Sequence, residues 1–210
     1  MSDPVEVLDF WLGDLGPEGW YAGGDTVDAE CRSRFTDLCE AARAGGLEHW
    51  VDGTVGTLAY LIVTDQLPRN IYRGNALAFA TDPQARAAAR RAVDAGWDMN
   101  APEPERQFFY MPFEHSEELA DQDFGIALMR ERLPETWAEN GLHAQAHHDI
   151  IARHGRFPFR NAALGRENTP EEAEFLAQGS YPAFVKRLEQ QAMQQGQGAA
   201  ALTALPGGKK

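Results

Sequence analysis

The sequence predicts an all-α protein, an antiparallel multi-helix array. Three observations carry this. Apolar residues recur at spacings of three and four through most of the chain, the repeat of one helix face. Asp-Pro, Asn and Thr-Pro stand where helices should begin, and Gly or Pro where they should end. No two alternating apolar runs flank a short turn, so no hairpin is signalled.

The elements follow in order. Asp3-Pro4-Val5-Glu6 is a helix start, with a capping Asp, proline at the first helical position and an acid in the first turn. Val5, Leu8, Trp11 and Leu12 form its stripe, and Gly13 to Gly24 reads as a loop. Asp25 or Thr26 opens a helix with Val27, Cys31, Phe35, Leu38 and Ala42 on one face, closed by Gly45-Gly46. GTVGTLAYLIVTDQLP (53–68) has strand-forming residues but no alternation. It reads as a buried helix stopped by Pro68. Asn75 caps a short helix, and Asp82-Pro83 begins one whose alanines allow close packing, ending at Gly96. The segment ALAFATDPQARAAARRAVDAGWD has the small-residue spacing of tetratricopeptide-type helix pairs, although no repeat of fixed period runs through the chain.

Pro102 to Tyr110 reads as helical, stopped by Pro112. Ser116 caps a segment through Leu133, broken by Pro134. Trp137, His143, His147, Ile150 and Ile151 carry a helix to Gly155. Thr169-Pro170-Glu171-Glu172 is a capping box, and a last helix runs from about Pro182 to Gln195. Residues 1–195 are expected to form one domain and 196–210 a flexible tail rich in small residues.

Composition narrows the function. The 210 residues hold 32 Asp and Glu against 19 Lys and Arg, a net charge of −13. That argues against nucleic acid or an anionic membrane as partner, because phosphate neutralisation needs a basic surface. The apolar run from Val55 to Leu67 is interrupted and too short to span a bilayer. Only Lys186, Lys209 and Lys210 are lysines, so the positive charge is almost all guanidinium. On a helix, Cys31 and Cys39 would lie about 12 Å apart along the axis, too far for a disulfide. Two core thiols, and the absence of a signal-like start, point to a reducing cytoplasm.

Two windows break the acidic pattern. No carboxylate lies between Asp65 and Asp82, or between Asp149 and Glu167. They contain Arg69, Arg73, Arg153, Arg156, Arg160 and Arg166, with Asn70 and Asn161 beside Pro or Gly turns. Guanidinium forks suit a carboxylate or phosphate, and loops at helix ends are common binding positions. The competing reading is structural: Arg satisfies helix-end carbonyls or pairs with distant acids, and Asn caps a helix.

MPFEHSEELADQD (111–123) gathers Glu114, His115 and Glu117 near a helix start. His115 with Glu117 is a candidate general base and its orienting carboxylate. A metal pair, or plain capping by Ser116, competes with that reading. In HAQAHHDIIARHG, His143 and His147 stand four apart on one helix face. The metalloprotease pattern fails because Ala144 stands where Glu is needed, so His147 is read as a pocket wall or a buried hydrogen-bonding residue, and no metal set is assigned.

Four segments, VLDFWLG (7–13), TDQLPRNIYRGNALAFATD (64–82), MPFEHSEELADQD (111–123) and IIARHGRFPFRNAALGRENTPEEAEFL (150–176), resemble the bacterial domain of unknown function 924 family. The resemblance spans nearly the whole chain apart from the tail. It implies an all-α, tetratricopeptide-like fold and brings no established mechanism or cofactor. Its motif positions correspond to Asp65, Gln66, Pro68, Arg69, Asn70, Arg73, His115, Ser116, Glu117, Gln122, Gly155, Arg156, Pro158, Arg160 and Asn161. The chain departs from it at His154, where the family usually has Phe, and at Phe159, where it usually has His.

Two functions are therefore expected to compete. One is a site for a small anionic ligand, a carboxylate or phosphate ester, in a hydrolase or lyase. Its binding residues would be Arg69, Asn70, Arg73, His147, Arg156, Arg160 and Asn161, with His115 and Glu117 moving the proton. The other is a module clamping an acidic peptide or C-terminal segment.

Overall fold

The structure, a computed structural model, describes residues 3–22 and 24–194. The expected flexible tail lies outside the described residues. The chain is an all-α array, and among the described residues there is no strand. It divides into two compact units, Met1–Pro112 and Phe113–Lys210.

In the first unit, α1 (Pro4–Leu8) begins as the sequence predicts: the Asp3 carboxylate accepts the Val5 N–H at 3.0 Å. The chain then passes through a π-helical turn, Asp9–Leu15, into α2 (Gly16–Trp20). The expected loop from Gly13 to Gly24 is thus mostly helical. The wide turn buries Phe10 and Trp11, and the Trp20 indole N–H donates to the Trp11 carbonyl at 2.6 Å. Pro17 then sits in the first turn of α2, where its missing N–H costs nothing.

α3 (Asp25–Arg43) buries Cys31, Phe35, Leu38, Cys39 and Ala42, and Asp28 with them. Both cysteines are free and buried. α4 (Thr54–Leu61) follows a close approach: a Cβ on Gly56 would lie 2.2 Å from the Trp50 carbonyl oxygen. Pro68 does not stop this segment. A second π-helical turn, Ile62–Gln66, leads directly into α5 (Leu67–Ile71), with Pro68 in its first turn. The Leu67 N–H reaches back five residues to Ile62, and the Thr64 carbonyl, which proline cannot serve, accepts the Thr81 hydroxyl at 2.6 Å.

Asn75 caps a 3-10 turn, Ala76–Phe79, by accepting the Leu77 N–H. α6 (Asp82–Asp94) lays its alanine face on α4. A 3-10 segment, Glu105–Phe109, adds Phe108 and Phe109 to an aromatic core in which Trp20 meets Phe108 edge-on at 4.8 Å. Pro112, expected as a stop, is the second residue of α7 (Met111–Glu114).

In the second unit, α8 (Leu119–Arg132) and α9 (Trp137–His154) pack against each other. Ser116 stands before this pair rather than capping α8 itself. Its Oγ accepts the Glu118 N–H and donates to Asp121 at 2.7 Å. Gly155, at φ +69°, takes the left-handed position that closes α9. A 3-10 turn, Pro158–Arg160, precedes α10 (Pro170–Ala177), whose capping box from Thr169 to Glu172 is complete. α11 (Ser180–Gln194) packs on α9 and α10. Ile150, Ile151, Phe157 and Phe175 form the core here, flanked by Leu176, Tyr181 and Phe184.

Candidate functional site

The basic corner of the first unit is built at α5. Arg69 reaches the Asp65 carbonyl and carboxylate on one side and Asp82 at 3.0 Å on the other. The Asn70 amide donates to Asp28 at 3.0 Å, and Arg73 grips the same carboxylate with two bonds, Nε at 2.6 Å and Nη2 at 2.8 Å. The Arg73 bonds hold the Asp28 carboxyl below its ordinary value against the cost of burial. These carboxylates lie outside the acid-free window and tie α5 to α3 and α6.

The basic corner of the second unit centres on the turn after α9. Arg156 binds both oxygens of Glu172, at 2.6 and 2.8 Å, and donates to the Glu167 carbonyl. The Arg156 bond pulls the Glu172 carboxyl down to about 2, helped by the Thr169 N–H. The Asn161 amide donates to Asn168 at 2.8 Å and to Glu172 at 3.3 Å, while its carbonyl oxygen accepts from Arg166 Nε. Arg166 in turn holds Glu117 bidentately at 2.7 and 2.9 Å. Arg160 is buried, with its guanidinium 4.4 Å over the Phe157 ring.

Glu117 is therefore joined to the second Arg window, and its Oε1 also accepts the Phe157 N–H at 2.9 Å. Burial opposes its charged form, but Arg166, this N–H and the nearby Arg160 charge outweigh that and hold the carboxyl low. A carboxyl so committed is a poor proton acceptor.

The carboxylate beside imidazole is Glu114, 3.6 Å from His147 Nδ1. The His147 ring stacks on Tyr181, centroids 4.8 Å apart and planes 14° from parallel. It meets His115 edge-on at 5.9 Å and Phe157 at 5.5 Å. The Tyr181 hydroxyl lies 2.8 Å from His143 Nδ1, one helical turn before His147 on α9. Next to these rings is a surface hollow of about 370 Å³, lined by His143, Tyr181, Pro182, Val185, Lys186 and Glu189.

The second unit thus brings together His115, His147, Glu117, Arg156, Arg160 and Asn161, while Arg69, Asn70 and Arg73 share the first. Glu114, Tyr181 and Arg166 belong to these networks without having been singled out as site residues. Arg166 was visible in its acid-free window, and Glu114 beside His115, whereas Tyr181 carried no signal. His154 packs its ring on Phe175 at 5.3 Å, and Phe159 lies against Phe157 at 5.1 Å and Tyr181 at 6.0 Å. Among the described residues no group of three or more His, Cys, Asp or Glu is arranged to hold a metal ion, and no helix is long and apolar enough to cross a membrane.

Comparison with known proteins gives two findings. The family model described as bacterial protein of unknown function (DUF924) matches residues 7–180. A solved structure of ATU0120, a protein of unknown function from Agrobacterium tumefaciens, is similar: 39% sequence identity, 84% of this chain and 97% of that chain covered, TM-score 0.77. No curated protein matches the chain.

Proposed function

We propose that this chain, which belongs to the bacterial DUF924 family of proteins of unknown function, binds a compact carboxylate or phosphate ester in its second unit, around His147. The surroundings of that imidazole carry the reading: Glu114 at 3.6 Å from Nδ1, Tyr181 stacked on one face, and His115 edge-on. An imidazole beside a carboxylate and partly shielded from water has the parts of a general acid–base pair.

In this reading His147 and His115 move the proton and Glu114 orients His147. Arg160 supplies positive charge to the ligand. Arg156, Asn161 and Glu117, the last through Arg166, fix the turn that carries Arg160. The hollow beside Tyr181 is lined by His143, Lys186 and Glu189 rather than by His147 or Arg160, and in this reading it takes only the outer part of the ligand. Arg69, Asn70 and Arg73 serve the first unit's structure, since Asp28, Asp65 and Asp82 already meet their donors. Hydrolysis and elimination are the reaction classes these groups serve, in a reducing cytoplasm that suits the two free thiols.

A second reading rests on Phe159. Its ring is 38% exposed on the same turn as Arg160, the pairing an acidic peptide tail would use in a tetratricopeptide-like clamp. Thermal melting separates the two. The panel is malate, citrate, inorganic phosphate, glycerol phosphate and a peptide with an acidic C-terminus. A small anion at a hundredfold excess over its Kd should raise Tm by about 5 °C or more. The rise should vanish in Arg160→Gln and His147→Gln. A shift with the peptide alone favours the clamp.

A further inference from the structure

A second hollow, of about 270 Å³, lies in the first unit and takes no part in the reading above. It is lined by Glu48, Val51, Tyr60, Gln84, Ala87, Ala88 and Arg91. Tyr60 is 3% exposed, and among the described residues nothing hydrogen-bonds its hydroxyl. The ring is buried, but the hydroxyl oxygen is not sealed from solvent, so the phenol presents an available donor to the hollow that Tyr60 lines. Arg91 lies across the Trp97 ring at 5.4 Å, and among the described residues no carboxylate pairs with it. Arg91 is exposed, so its guanidinium stands solvated on the rim of the hollow, open to a carboxylate.

The other lining groups complete a pattern. Glu48 puts a carboxylate on the rim, near enough that its charge adds to burial in keeping the Tyr60 hydroxyl protonated, and so a donor. Gln84 spends its amide N–H on the Ala42 carbonyl, which leaves its side-chain oxygen as an acceptor. Val51, Ala87 and Ala88 form an apolar patch. The hollow therefore offers a cation and a neutral donor, an anion and a neutral acceptor, and a small apolar wall.

We propose that this hollow binds a small zwitterion with a short apolar side chain, the chemistry of a free aliphatic α-amino acid. Arg91 and the Tyr60 hydroxyl take the carboxylate. Glu48 and the Gln84 oxygen take the ammonium. Val51 and the two alanines take the side chain. The assignment uses no residue of the His147 cluster and stands or falls apart from it.

The test is isothermal titration of the whole protein with L-leucine, isovalerate and isopentylamine, which share the side chain and differ in charge. L-leucine should bind saturably, at least about tenfold tighter than either singly charged analogue, since each loses one charge-assisted contact. Arg91→Gln and the near-isosteric Tyr60→Phe should each weaken it by about fivefold or more, and His147→Gln should leave it unchanged. Melting curves of the variants check that they fold. Lack of saturable leucine binding overturns the proposal. So does leucine binding that folded Arg91→Gln and Tyr60→Phe retain in full, or isovalerate binding as tightly as leucine.

Discussion

Arg73 and Asp28 stand 45 positions apart and meet in a two-point ion pair, Nε to Oδ2 at 2.6 Å and Nη2 to Oδ1 at 2.8 Å. Asp28 is buried on α3, and Arg73 follows α5, so the pair fastens two helices. Arg73 is 56% exposed, which lets solvent screen the bond. Arg73→Gln should cost about 1 kcal/mol in urea unfolding. Asp28→Ala, which strands Asn70 and Arg73 together, should cost about 2–3 kcal/mol. Equal effects would contradict this arrangement.

Glu172 makes stability depend on acid. Its ordinary value is 4.5, and in the folded chain Arg156 and the Thr169 N–H hold it at about 2. A lowered carboxyl contributes stability that is full above its unfolded value and lost as pH falls through the folded one. Tm should therefore fall between about pH 4.5 and 2, in part through this group. Glu172→Gln should melt lower than wild type at pH 7 and show a flatter pH dependence in that window, the two curves converging in acid.

Gly56 is required by contact rather than by backbone angle. A methyl group there would strike the Trp50 carbonyl, a backbone atom that cannot swing aside. Gly56→Ala should destabilise the first unit by about 2–3 kcal/mol despite its better helix propensity. A neutral or stabilising result in denaturant melts would refute the close approach.

Burial pushes the Cys31 thiol up to about 11 and the Cys39 thiol up to about 12. Neither is a thiolate near neutral pH, so neither should react. A disulfide-exchange reagent at pH 8 should label no cysteine in the native protein within minutes and two in denaturant.

Helices were legible because periodicity and caps are local. The Thr169 capping box, the Asn75 cap and the Gly155 terminator all form where the residues predict. Proline was less informative. Pro17, Pro68 and Pro112 read as loop or stop, yet each lies in a first helical turn, where an N–H would have no helical acceptor, and a π-helical turn or a short restart lets the chain continue. Spacing revealed the two Arg windows but not their partners. Asp28 and Glu172 reach Arg73 and Arg156 only through tertiary packing. His115 and Glu117, two apart in a non-helical stretch, are drawn to different neighbours, and the carboxylate placed by His147 is Glu114.

The most direct measurement of the central claim is the histidine side-chain NMR spectrum during titration with the anion that raises Tm most. The chain has six histidines, and His49, in the first unit, serves as the internal control. The His147 signals, with those of His115 and His143, should shift saturably with one Kd, and His49 should not move. Saturable binding that leaves His147 unmoved, or shifts all six histidines alike, would contradict a ligand site around His147.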